Sequence, residues 1–172
     1  MDLTKAELLN ALSVLDAELA ALGLHATLRV IGGAAIALKY DESRSTADVD
    51  SVFRDYRQVR TAIEKAAEKL NLPPDWVNSQ VHDLRLPFVA DLNPDILQIG
   101  ANLTVELASA EFLLFSKVVS TRQADQDFDD AVVLARYLDL KTTQDIEQAV
   151  KRFGSVDGSV ELFIEEIAEE LS

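Results

Sequence analysis

The stretch that decides the fold runs from Val30 to Phe53, VIGGAAIALKYDESRSTADVDSVF. Just before and into it, residues 27–31 (TLRVI) alternate Leu28 and Val30 with Arg29, which predicts a short strand. Gly32 and Gly33 make a turn, and the small apolar run AAIALKY reads as a tightly packed short helix. DESRS is a polar loop. TADVDSVF is a second strand in which Val49 points opposite to Asp48 and Asp50. Side chains two apart on a strand share a face, so the two carboxylates project together.

Two like charges that close destabilise the fold unless something compensates them. A divalent cation does so. Mg²⁺ takes few protein carboxylates, with phosphate oxygens and water completing its shell. Such an ion neutralises charge on a transferring phosphoryl group and aligns its attacker. Backbone amides at Gly32 and Gly33 can approach a phosphate closely, helped by the start of the following helix. Arg44 can hold a phosphate oxygen or pair with a carboxylate, and Thr46 can hydrogen-bond near the same edge. Taken singly, a glycine pair is an ordinary turn and DxD is the wet face of a strand. The order strand, GG, short helix, RxTxDxD, strand is what carries specificity.

Outward from this stretch, Leu8, Leu12, Leu15, Leu19 and Leu22 mark an amphipathic helix that ends near Gly23. Residues 55–70 are helical through Val59, Ile63, Ala66 and Leu70, and Pro73 and Pro74 stop them. Pro74 and Asp75 then start a short helix bearing Trp76 and Val77. LRLPFVADL contains an edge strand, where Pro87 is tolerated. DILQI and LTVEL flank GAN as a hairpin. From Ser109, a helix N-cap, the chain is helical to its end, with TTQD (Thr142 to Asp145) as a capping box. The expected class is α/β (α+β): a small mixed sheet flanked by helices over residues 1–108, and a helical part over 109–172 packed on it.

Composition narrows the chemistry. The 172 residues include no cysteine, which excludes disulfides, thiolate catalysis and cysteine-based metal sites. His25 and His82 lack metal-ligand spacing. Sixteen basic against thirty acidic residues give a net charge of −14, which argues against a broad nucleic-acid surface. The same charge suits a divalent cation or a protein partner with a basic face. The start MDLTKAELLNAL lacks the features of a signal peptide, and no segment reaches membrane-spanning length, so a cytoplasmic protein with no membrane partner is expected.

A second constellation lies in FSKVVSTRQADQDFDDAVVLA. Lys117 sits on a largely apolar helix, Arg122 lies near its end, and Asp127 and Asp130 share a face of the next. Lys117 can reach a triphosphate as a point charge. Asp127 or Asp130 can orient Lys117 or Arg122, or bind a sugar hydroxyl. The plainer alternative is a salt-bridge network between helices with no ligand.

Together VIGGAAIALKY…RSTADVD, PPDWVN and LTVELASAEFLLFSKVVSTRQADQDFDDAVVLARYLDL resemble the nucleotidyltransferase superfamily, in its small bacterial branch related to AbiEii-type toxins. The resemblance covers roughly Val30 to Leu140. It implies a metal-dependent transfer of a nucleoside monophosphate from a nucleoside triphosphate (NTP) to a hydroxyl of a protein, an RNA end or a small molecule. By the match, Gly32 and Gly33 lie against the phosphates, Asp48 and Asp50 hold Mg²⁺, and Lys117 with Asp127 or Asp130 supports activity. A third carboxylate is matched less cleanly, by Glu106 or Asp91 as ligand or base. A nucleotide-binding module without turnover, and a toxin–antitoxin interaction protein, are the alternative functions.

Overall fold

The computed structural model describes residues 1–53, 56–80, 86–120 and 124–172. They form two compact units: Met1–Leu86 with Pro94–Ala108, and Pro87–Asn93 with Ser109–Ser172.

The first unit opens with helix α1 (Lys5–Ala21). Thr4 caps it in a reciprocal box: the Thr4 backbone N–H donates to the Glu7 carboxylate at 2.8 Å, and the Glu7 N–H donates to the Thr4 hydroxyl at 3.3 Å. The bond from the Thr4 backbone, then that from its hydroxyl, holds the Glu7 carboxyl below its usual range. Leu8, Leu12, Leu15 and Leu19 are all buried, as their spacing predicts. Leu22 instead falls at the C-cap and is half exposed, and Gly23 then adopts φ +67°.

Strand β1 (Ala26–Val30) leads into the glycine pair. Helix α2 (Gly32–Ala35) continues as a π-turn over Ile36–Tyr40, with the Asp41 N–H donating to the Ile36 carbonyl at 2.9 Å. Strand β2 (Val49–Val52), helix α3 (Tyr56–Leu70), strand β3 (Val77–Asn78), strand β4 (Asp95–Gln98) and strand β5 (Leu103–Leu107) complete the unit. The sheet order is β3-β2-β1-β5-β4. The outermost pairs differ: β2–β3 is parallel and β4–β5 antiparallel. At the centre β1 pairs antiparallel with β2 and parallel with β5, so the sheet is mixed.

The register sorts the side chains. Val30 stands opposite Ser51, and Leu28 opposite Val105. One face therefore carries Leu28, Val30, Val49, Leu103, Val105 and Leu107, all buried. The other carries Arg29, Asp50 and Glu106. Helix α1 packs against β5, α3 and the π-turn. It is also pinned by Asp16, whose Oδ1 accepts from the Asn102 and Leu103 N–H groups at 2.8 and 2.7 Å.

Three local expectations are corrected. The segment after the two prolines is no helix: the Trp76 N–H closes a turn on the Pro73 carbonyl at 3.0 Å, and Val77–Asn78 then join the sheet as β3. Around Pro87 the described residues form a 3₁₀ turn, Phe88–Ala90, and no edge strand; residues 81–85 lie outside the described set. The carboxylate strand starts at Val49, so Asp48 immediately precedes it, although Val49 is still buried between two half-buried aspartates.

The second unit contains α4 (Ala110–Val118), α5 (Asp125–Tyr137), α6 (Thr143–Lys151) and α7 (Gly158–Leu171). The Ser109 hydroxyl caps α4 by accepting from the Phe112 N–H at 3.2 Å. Thr142 and Asp145 form the predicted capping box of α6. Phe112 is fully buried and meets Phe88, Phe115 and Phe153 at ring-centroid distances of 5.4, 6.4 and 5.4 Å. No helix of the described residues is long and apolar enough to cross a membrane.

Candidate functional site

The glycine pair meets Asp50 of the DxD stretch, together with Thr46 and Arg44. Gly32 has φ +64°, a conformation that L side chains rarely adopt. A Cβ there would lie 3.2 Å from Asp50 Oδ2. The backbone is also joined directly, since the Ile31 N–H donates to the Asp50 carbonyl at 3.0 Å. At Gly33 a Cβ would lie 2.9 Å from Thr46 Oγ1 and 3.0 Å from Arg44 Nη2. One corner of backbone thus receives Asp50, Thr46 and Arg44 within a few ångströms. A side chain at Gly33 would force Thr46 or Arg44 to shift, and Gly32 is favoured by its dihedral.

Asp48 is held at two points. Its backbone carbonyl accepts from Thr46 Oγ1 at 3.1 Å, and its carboxylate Oδ2 accepts from Asn78 Nδ2 at 3.1 Å. Thr46 and Asn78 are both buried. Asn78 pairs in register with Asp50, so it stands on the carboxylate face of the neighbouring strand. Arg44 is half-buried and donates from Nη1 to the Ser45 carbonyl.

Gly33→Ala tests this packing. The new methyl must displace Thr46, which anchors the Asp48 main chain. A loss of about 1–3 kcal/mol is expected, read as a lower urea midpoint at unchanged slope. An unaltered midpoint would show that the corner is loose.

The third carboxylate is placed differently from the first two. Glu106 lies on the carboxylate face, level with Arg29 in the β1–β5 register. From Asp50 it is two strand spacings away, about 10 Å, and about 7 Å further along the strands. Arg29 engages it, donating from Nε and Nη2 to Glu106 Oε2 at 3.0 and 2.8 Å. Asp91 belongs to the other unit. Its Oδ2 accepts from the Ser109 N–H at 2.9 Å, while Oδ1 is buried with no hydrogen-bond partner among the described residues. Among those residues no group of three or more His, Cys, Asp or Glu side chains is placed to hold a metal ion.

In the helical unit, Lys117 is the hub of a buried network. Its ammonium lies 2.7 Å from Asp127 Oδ1 and 2.8 Å from Asp130 Oδ2. Ser120 Oγ donates to Asp127 Oδ2 and Gln126 Nε2 to Asp130 Oδ1, each at 3.2 Å. The arrangement has the form of the plainer reading of these residues, an interhelical ion cluster. Arg122 lies outside the described residues.

Asn78 is the site residue that residue-by-residue reasoning missed. The only signal was its place in the quoted Trp–Val–Asn element. Trp76 itself is buried, with its indole N–H donating to the Ile63 carbonyl at 3.2 Å.

Comparison with known proteins bears on the family and the fold. The family model described as "Nucleotidyltransferase of unknown function (DUF6036)" matches residues 10–159. A crystal structure of an antigenic nucleotidyltransferase-like protein from Paracoccidioides brasiliensis has a similar fold, with a TM-score of 0.50 and 20% identity over 88% of each chain. No curated protein gives a significant match. The matched span takes in the glycine pair, both site aspartates and the Lys117 cluster, and the chain belongs to this family of nucleotidyltransferases of unknown function.

Proposed function

We propose that the chain transfers a nucleoside monophosphate from an NTP to a hydroxyl acceptor, with Asp48 and Asp50 as the divalent-cation ligands. The observation that carries this reading is the direct packing of Gly32 and Gly33 against Asp50, Thr46 and Arg44. A chain that needed only a turn here would not have to bring a carboxylate, a hydroxyl and a guanidinium onto bare backbone.

The donor set fits Mg²⁺. Two half-buried carboxylates flank one buried valine, and hard oxygen donors in small number are what that ion takes from protein. When bound, the cation supplies Lewis-acid stabilisation of the α-phosphate and of the displaced pyrophosphate. The chain's own residues do the rest. Asp48 and Asp50 present oxygen ligands from one strand edge. Bare backbone at Gly32 and Gly33 lets Asp50, Thr46 and Arg44 close onto one corner, and Arg44 supplies a guanidinium for charge-assisted hydrogen bonds to phosphate oxygens. The acceptor oxygen forms a bond to the α-phosphorus as the bond to the bridging oxygen breaks, and pyrophosphate carries away that electron pair. The hydroxyl proton leaves to a site carboxylate or to water.

A second reading is a nucleotide-binding module without turnover. The engagement of Glu106 by Arg29 favours it, because a carboxylate held in a two-point ion pair is poorly placed to act as base. One experiment separates the two. Calorimetry with each NTP and Mg²⁺ should show binding. Incubation with the α-³²P-labelled nucleotide and a cell extract should then label a protein, an RNA or a small molecule. Binding without label supports the second reading, and no binding to any NTP removes both.

A further inference from the structure

We propose that Asn78 is a positioning residue for Asp48 and that its neutrality sets how the cation arrives. This inference rests on the nucleotidyl-transfer reading of the site. Two hydrogen bonds fix the carboxamide. Oδ1 accepts from the Gln80 backbone N–H at 3.1 Å, so the amide nitrogen is the atom turned to Asp48 Oδ2, also at 3.1 Å. The Asn78 main chain is fixed as well, in register with Asp50, with its carbonyl accepting from the buried Ser51 hydroxyl at 3.3 Å. The residue is 6% exposed. A buried amide held at both ends is a rigid support, and it orients one oxygen of Asp48 while leaving the other oxygen to a ligand.

The residue type matters as much as the position. An aspartate of nearly the same shape would put a third carboxylate beside Asp48 on the same face as Asp50. Asparagine gives that place a donor and no charge. Charge count is a main determinant of divalent-cation affinity at oxygen sites. The Asp48–Asp50 pair therefore holds a divalent cation weakly on its own and firmly only when phosphate oxygens share it. The form recognised is the cation–triphosphate complex, not the free ion followed by the nucleotide.

Paramagnetic resonance of Mn²⁺ tests this without any turnover. The probes are Mn²⁺ alone and Mn²⁺ with inorganic tripolyphosphate, on the full chain, with circular dichroism confirming that each variant folds. In the wild type, tripolyphosphate should tighten Mn²⁺ binding at least about tenfold. Asn78→Asp should raise affinity for Mn²⁺ alone by about tenfold, as one ligand charge is added. Asn78→Ala should weaken binding of the Mn²⁺–tripolyphosphate complex by about 10- to 100-fold, the usual cost of losing an outer-shell partner. Equal affinity of wild type and Asn78→Asp for Mn²⁺ alone overturns the proposal. That comparison stands even where Asn78→Ala fails to fold. Asp50→Asn, which removes a ligand charge and leaves Asn78 in place, separates the two failures. Lost binding in Asp50→Asn with a silent Asn78→Asp sinks this inference alone. Unchanged binding in Asp50→Asn sinks the nucleotidyl-transfer reading with it.

Discussion

Alanine at Asp50 or at Asp48 should lower label transfer from an α-labelled NTP by at least about three orders of magnitude. A metal acting as Lewis acid contributes several kcal/mol to a phosphoryl transition state, and each 1.4 kcal/mol is tenfold in rate. Neither substitution should harm the fold to match. Both aspartates are half-buried, and removing one of two neighbouring like charges relieves repulsion. Both variants should still melt cooperatively, with Asp48→Ala lowered by about 1–3 kcal/mol because it strands the buried Asn78 amide. A large loss of transfer with a cooperative melting curve is the signature of a reacting site. Transfer at the wild-type rate in both variants would end the proposal.

Lys117→Met should do the reverse and damage stability first. The lysine side chain is 12% exposed, and its two partners, Asp127 and Asp130, are 8% and 2% exposed. Methionine keeps the aliphatic volume but leaves two buried carboxylates facing each other with no ammonium between them. Breaking a buried ion pair from one side costs about 3–5 kcal/mol. Urea denaturation reads the loss directly. The triple variant Lys117→Met, Asp127→Asn, Asp130→Asn should recover much of it, because the amides carry no charge to strand. A loss under about 1 kcal/mol in the single variant would mean that water already solvates the cluster.

The sequence made some of this plain and hid the rest for physical reasons. Leucines at steps of four and three announce α1, and burial of Leu8, Leu12, Leu15 and Leu19 follows from that period alone. The alternation around Val49 likewise told which side of the strand the aspartates take. Strand β3 was hidden because it is only two residues long and follows two prolines, a context that also suits a helix start. The role of Asn78 went with it. The Arg29–Glu106 pair could not be read because its members are 77 positions apart, and only strand register makes them neighbours. Lys117, Asp127 and Asp130 were visible as a group, but whether such a group serves a ligand or binds two helices depends on distance, which spacing does not supply.

The central strand pairing has a consequence for how the chain is made. Strand β1 sits between β2, which follows it closely, and β5, which begins at Leu103. Long-range parallel pairing is slow because a large loop must close before any contact rewards it. During translation, when roughly the first hundred residues have emerged from the ribosome, β1 still shows an open edge to solvent or to a chaperone. The β5-facing edge of β1 is therefore covered late, whereas the aspartate strand already has both of its neighbours, and a nascent chain arrested before Leu103 should be protease-sensitive around Ala26–Val30.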